Sequence, residues 1–244
     1  MNLTTEIMDL AGAAGADFSG VADLTPARAA IMDQGGALLG EYPRAVSIGL
    51  TLPHAVVDRI AGGNDPTALR SYRHHAYDVI NQRLDQIASR LSARLQKKGH
   101  GALPIPASMT VDHDRLTGVF SNKMAAHLAG LGWIGKSCLL ITPEVGPRAR
   151  WASVLTTAPL EATGEPMEER CGSCDECVRG CPPQAFSGRP FREDEHRDLR
   201  FQVHKCRDML NDREREMGIG VCGMCLYICP YGRRASETIM SAAG

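Results

Sequence analysis

Cys171-Gly-Ser-Cys174-Asp-Glu-Cys177-Val-Arg-Gly-Cys181-Pro182 decides how the second half of this chain folds. Three cysteines at C-x2-C-x2-C spacing, a fourth after three more residues and a proline behind it form a run that holds [4Fe-4S] cubanes. Three thiolates on one short loop wrap a face of the cubane and present backbone N–H groups to its sulfides. The turn at proline carries the fourth thiolate away to another cluster. Cys222-Gly-Met-Cys225-Leu-Tyr-Ile-Cys229-Pro230 repeats the run with one cysteine missing, and Cys206, sixteen residues upstream of Cys222, can supply it.

Eight cysteines therefore make two sets of four. By the crossed ligation of two-cluster ferredoxins, Cys171, Cys174, Cys177 and Cys229 hold one cluster, and Cys206, Cys222, Cys225 and Cys181 hold the other. Structural zinc would be satisfied by two C-x2-C pairs and would leave Cys177 and both Cys-Pro dipeptides without a purpose. Disulfides are disfavoured in a reducing compartment. The ninth cysteine, Cys138, stands in an apolar, strand-like run and reads as a buried, inert thiol.

With 244 residues there is room for one large domain, or a large one and a small one. Hydrophobic residues at 43% and charged residues at 23% exclude a disordered or fibrous chain. Lys and Arg total 27 against 28 for Asp and Glu, so no net field gathers phosphates, and neither a nucleic-acid nor a membrane partner is expected. No apolar run approaches the roughly 20 residues that span a bilayer, and the amino terminus lacks a basic segment followed by an apolar core. The expectation is a cytoplasmic protein.

The first two thirds alternate helix and strand signals. Ile7, Leu10, Ala11 and Ala14 recur at helical spacing, Phe18 to Ala22 and Ala45 to Leu50 read as strands, and Tyr77, Ile80, Leu84, Ile87, Leu91 and Leu95 stripe one face of a long helix. Ser121 to Ala129 reads as a helix capped by Ser121 and stopped by Gly130. Cys138 to Thr142 and Trp151 to Thr156 read as strands joined by the Pro143 to Pro147 turn. Past Leu160 charges crowd the chain and strand-like runs disappear, which places a domain boundary near residue 165, with domains 1–165 and 166–244. The mixed charges of Arg192 to Arg200 read as a solvated helix or loop.

Ala129-Gly-Leu-Gly-Trp-Ile-Gly-Lys136 joins a helix to a strand. Its G-x-G-x-x-G spacing follows a helix instead of a strand, so it fails the context of a dinucleotide loop and reads from its residues alone as a helix stop with a buried Trp. This run, the turn Pro143-Glu144-Val-Gly146, the segment Val154-Leu-Thr-Thr-Ala-Pro-Leu160 and the following Cys171-Gly-Ser-Cys174 resemble epoxyqueuosine reductase. More broadly they resemble the cobalamin-dependent iron–sulfur reductases, which include the reductive dehalogenases.

The resemblance implies an α+β fold: a nitroreductase-like cobalamin-binding domain followed by a ferredoxin-like domain with two [4Fe-4S] clusters. It also implies that Gly132, Trp133, Ile134, Gly135, Lys136 and Ser137 belong to a corrinoid-binding loop. Two features depart from the family. Epoxyqueuosine reductases continue into a helical-repeat extension, whereas this chain stops about fifteen residues after Cys229. The position at the family's fixed spacing for an acidic proton donor is Leu116, with Asp112, His113 and Asp114 slightly upstream as the candidate donors. The function implied is a reductase that passes single electrons from an external low-potential donor to cobalt and reduces a small substrate. The alternatives are a non-catalytic electron-transfer or corrinoid-handling protein that serves a partner, and the same fold carrying flavin.

Overall fold

The computed structural model describes residues 2–192 and 195–242. The chain forms two compact units, each assembled from separated segments. The first comprises Met1–Leu50, Val79–Gly132 and Arg150–Met167, and the second Thr51–Asp78, Trp133–Ala149 and Glu168–Gly244. Elements in chain order are α1 (Leu3–Ala13), β1 (Phe18–Asp23), α2 (Arg28–Gly35), β2 (Arg44–Thr51), α3 (His54–Asp58), α4 (Pro66–Arg73), α5 (Ile80–Lys97), β3 (Ala102–Ile105), α6 (Asn122–Leu128), β4 (Trp133–Ile134), β5 (Leu140–Ile141), β6 (Ala149–Thr156), α7 (Glu176–Arg179), α8 (Val203–Met217), α9 (Met224–Tyr227) and α10 (Pro230–Ala242). Helices and a mainly antiparallel-paired sheet give the α+β class. Among the described residues no helix is long and apolar enough to cross a membrane.

The first unit is built on a sheet of order β1-β2-β6-β3. β1 runs antiparallel to β2, from Phe18 opposite Gly49 to Asp23 opposite Arg44, and β3 runs antiparallel to β6, from Ala102 opposite Thr156 to Ile105 opposite Ser153. Every residue of β2 from Ala45 to Leu50 is buried, the pattern of a strand covered on both faces. On one face Ala22, Ala45, Ile105 and Leu155 join Ala125, Leu128 and Phe120 in a continuous apolar cluster. On the other, Val21, Val46 and Ile48 are fully buried, and the packed pair α1 and α5 supplies their cover.

The α5 stripe read from the sequence is real: Leu84, Leu91 and Leu95 lose all contact with water, each burial contributing about 1.5–3 kcal/mol. Glu6 of α1 fastens the pair by ion pairs to Arg94 and Lys98. α6 ends at Gly130, whose φ of +75° lies in the left-handed region. A Cβ there would also stand 2.9 Å from the Glu165 carbonyl oxygen, so the stop requires glycine. Ser121 takes the N-cap position of α6, but its hydroxyl makes no capping bond.

In the second unit, α4 begins with Asp65 accepting the Thr67 N–H at 2.8 Å and Pro66 at the first helical position. Two differences from the sequence reading appear here. β5 pairs with β4, Trp133 opposite Ile141, in a small hairpin, whereas β6 belongs to the large sheet. Cys138 is not in a strand: it sits in the hairpin turn at a φ of +56°, where its N–H bonds back to the Gly135 carbonyl. Of the charge-dense stretch after Arg192, residues 193 and 194 lie outside the described residues, and Arg197–Leu199 forms one 3-10 turn.

Candidate metal centres

The two cysteine runs fold alike. Cys177 is the second residue of α7 and Cys225 the second residue of α9. In each run a cysteine precedes the helix by a short turn and another follows it before proline. The position in the second run that corresponds to Cys171 is Ile219, which is buried. α8 delivers Cys206 instead.

An antiparallel bridge explains how. After Cys181, Phe186 pairs with Phe201, their rings stack at 5.0 Å between centroids, and Gln202 N–H donates to the Ala185 carbonyl at 2.8 Å. That ladder ties the segment after Cys181 to the residues that open α8, and the Ala185 N–H points at the Cys181 sulfur at 3.3 Å. The side chain of Ile228 packs against Gly180, which holds the two Cys-Pro corners side by side.

The thiols accordingly act on one another in two groups. Burial, and then the neighbouring Cys171, Cys229 and Cys174 sulfurs, pushes the Cys177 thiol up to about 12. Burial, and then Cys222 and Cys181, pushes Cys206 up to about 11. Cys225 is raised by burial and then by Cys222, Cys206 and Cys181. The structure thus brings together Cys171, Cys174, Cys177 and Cys229, and separately Cys181, Cys206, Cys222 and Cys225. All eight are free thiols.

Buried thiols ionise only where a cation offsets the lost hydration, and the iron of a cluster is such a cation. Among the described residues no three side chains of His, Cys, Asp and Glu stand close enough to chelate a single ion. A mononuclear zinc draws its ligands to about 2.0–2.3 Å from one point, whereas a cubane binds each thiolate to a different iron and spreads the four apart. The donor set fits the cubane.

The glycine loop lies in a different setting from an open ligand cradle. Gly132, Trp133, Ile134, Gly135 and Ser137 are buried by the chain itself. The Gly132 carbonyl accepts the Nδ1–H of His127 at 3.1 Å. The Trp133 ring meets Tyr231 edge-on at 4.9 Å, and the Arg170 guanidinium lies 5.5 Å from its centre. A Cβ on Gly135 would reach 2.9 Å from Ile141 Cγ1 and 3.2 Å from Cys171 Sγ, so the close approach Gly135 permits is to Ile141 and to a cysteine. Lys136 Nζ donates to the carbonyls of Gly172 at 2.6 Å and Cys174 at 3.1 Å.

Asp112, His113 and Asp114 form an exposed turn in the first unit. The Asp112 Oδ1 accepts the N–H groups of Asp114 at 2.9 Å and Arg115 at 2.8 Å, which makes it the brace of the turn, and Asp112 pairs with Thr117 across it. His113 and Asp114 face water.

The second unit also holds a buried ion-pair network that sequence reasoning missed. Arg148, fully shielded from water, binds the Asp58 carboxylate at 2.7 Å and the His54 Nδ1 at 3.0 Å, and the Ser236 hydroxyl donates to Asp58. A lone arginine after a turn carries no motif from which this could be read.

Residues 170–232 match the family described as the 4Fe-4S double cluster binding domain. The chain is 27% identical over 234 residues to the epoxyqueuosine reductase of Pseudomonas aeruginosa, covering 95% of this chain and 59% of that protein. It is 33% identical over 120 residues to that of Listeria monocytogenes, covering 48% of this chain and 31% of the relative. Among solved structures, a B12-dependent reductive dehalogenase superposes with a TM-score of 0.67 at 21% identity, over 97% of this chain and 34% of that one. A selenomethionine-labelled epoxyqueuosine reductase superposes with a TM-score of 0.60 at 21% identity, over 95% of this chain and 66% of that one. In sequence the chain is similar to epoxyqueuosine reductases, and in fold to both epoxyqueuosine reductases and reductive dehalogenases. It spans between about a third and three fifths of the length of the two curated relatives named above. One solved epoxyqueuosine reductase is bound to a tRNA-Tyr epoxyqueuosine-modified stem loop.

Proposed function

We propose that this chain is a cytoplasmic iron–sulfur, cobalamin-dependent reductase that takes electrons from an external low-potential donor and passes them one at a time through two [4Fe-4S] clusters to cobalt, for the reduction of a small substrate. The observation that carries the reading is the gathering of eight thiols into two crossed sets inside the double-cluster segment. Cys171, Cys174, Cys177 and Cys229 would hold one cluster, and Cys206, Cys222, Cys225 and Cys181 the other. Cobalamin is supported by kinship with a B12-dependent dehalogenase, and it would supply a strongly reducing, nucleophilic metal centre. Gly132 to Ser137 reach it in this reading only through backbone and the half-buried Lys136, since the rest of the loop is packed against the chain's own residues.

A proton is needed wherever a reduced organic product is released. His113 and Asp114 are the members of the exposed turn whose side chains are not spent on bracing it. The second reading is a non-catalytic corrinoid-handling protein, and the specific observation in its favour is that Asp112 is occupied by the turn. A small substrate, and not tRNA, is supported by the formal net charge of −1.

Anaerobic reconstitution is expected to load about eight iron and eight sulfide per chain, and the loaded protein is expected to retain one cobalamin, and no flavin, through gel filtration. Iron near four per chain, or zinc in its place, overturns the cluster reading. Retention of flavin with exclusion of cobalamin overturns the corrinoid. Tight binding of a tRNA stem loop overturns the small substrate. Turnover by wild type that is lost in His113→Ala supports the reductase over the carrier.

A further inference from the structure

The Trp133 indole N–H is buried and makes no hydrogen bond of ordinary geometry in the protein. Burying such a donor unpaired is costly, so an acceptor is expected for it. Its surroundings name one. Gly135, two residues on, brings the hairpin turn so near Cys171 that a Cβ would lie 3.2 Å from its sulfur. Lys136 clamps the loop that carries Cys171 through the Gly172 and Cys174 carbonyls. The Arg170 guanidinium, next to Cys171 in the chain, lies 5.5 Å from the centre of the Trp133 ring, so the indole faces the start of the same loop.

We infer that the Trp133–Lys136 turn is the hydrogen-bonding seat of the first cluster: the Trp133 indole N–H and the Lys136 backbone N–H donate to the Cys171 thiolate and favour the reduced cluster. The inference rests on the cluster reading proposed above and assigns the turn to iron–sulfur chemistry. Reduction adds an electron that is shared with the thiolate sulfurs. A donor aimed at one of them binds the reduced state more tightly and raises the potential. Trp133 and Lys136 are positioning residues for the cluster.

The test is a redox titration of the reconstituted holoprotein followed by electron paramagnetic resonance, with iron counted in the same samples. Eight iron in wild type secures the clusters independently of what the turn does. Trp133→Phe keeps the ring and removes the N–H. It is expected to disfavour reduction of the first cluster about tenfold, which is 59 mV downward for one electron, and to leave the second cluster unmoved. Pulsed resonance on wild type carrying 15N-indole tryptophan is expected to show the nitrogen coupled to the first cluster, a coupling that survives Trp151→Phe. An unchanged first-cluster potential, an equal shift of both clusters, or no indole coupling overturns the inference, and the coupling decides it even where Trp133→Phe loads iron poorly.

Discussion

Cys181→Ser is expected to remove the cluster whose other ligands are Cys206, Cys222 and Cys225, and to leave intact the cluster held by Cys171, Cys174 and Cys177, its own neighbours in sequence. The reason is the bridge between Phe186 and Phe201, which turns the chain after Cys181 toward α8 and Cys206. A serine hydroxyl is a far poorer ligand for iron than a thiolate. Iron should fall from about eight to about four per chain, or to about seven where a three-iron remnant of the second cluster survives. The resonance of the second cluster should vanish or change type. Cys229→Ser should do the reverse. Loss of the signal of the Cys171 cluster in the Cys181 variant would show that ligation follows sequence order.

Asp58→Ala is expected to produce the largest loss of stability. Arg148 has no exposed surface, so deleting its counter-ion leaves a buried cation unpaired. Removing one partner of a buried pair costs about 3–5 kcal/mol, and the lower end applies because the Asp58 side chain is 36% exposed. About 3 kcal/mol corresponds to roughly 6–12 °C in melting temperature for a chain of this length. Calorimetry under nitrogen at pH 7 checks it, and a shift below 2 °C would mean that water reaches Arg148.

The same network sets a pH dependence. For Asp58, burial alone would raise the pKa, but the hydrogen bonds from Ser236 and Arg148 and the guanidinium charge overcome it and hold the carboxyl below its ordinary value of 3.8. His54 is held below 6.5 by burial and then by Arg148, whose donated N–H requires Nδ1 to be unprotonated. With both pKa values depressed on folding, the unfolded chain binds more protons. The His54 contribution is complete above pH 6.5 and fades as pH falls through its lowered pKa, and that of Asp58 fades below 3.8. Melting temperature should decline between pH 7 and pH 5, and His54→Gln should flatten that decline.

Much of this was legible before the structure. The strands β1 and β2, the α5 stripe and the stop at Gly130 follow from local patterns in which burial has one period, and the cysteine spacing carries its chemistry on its face. What stayed hidden depends on pairing at a distance. β3 is four residues long and contains Pro104, so it offers too little alternation to detect. α8 buries no residue, so its sequence has no stripe to read, and its role in presenting Cys206 is invisible without the Phe186 bridge. The glycine loop was ambiguous because glycine reports only that something comes close. Here the neighbours at Gly135 are Ile141 in the same hairpin and Cys171, thirty-six residues away in the chain.

In the proposed ligation Cys181 and Cys229 are exchanged between the two sets, and this bears on biogenesis. Each set needs at least one thiol from the second cysteine run, so neither cluster can be closed on a ribosome-bound chain that has not yet exposed Cys225 and Cys229. On that ligation, closure of either cubane waits for the second cysteine run.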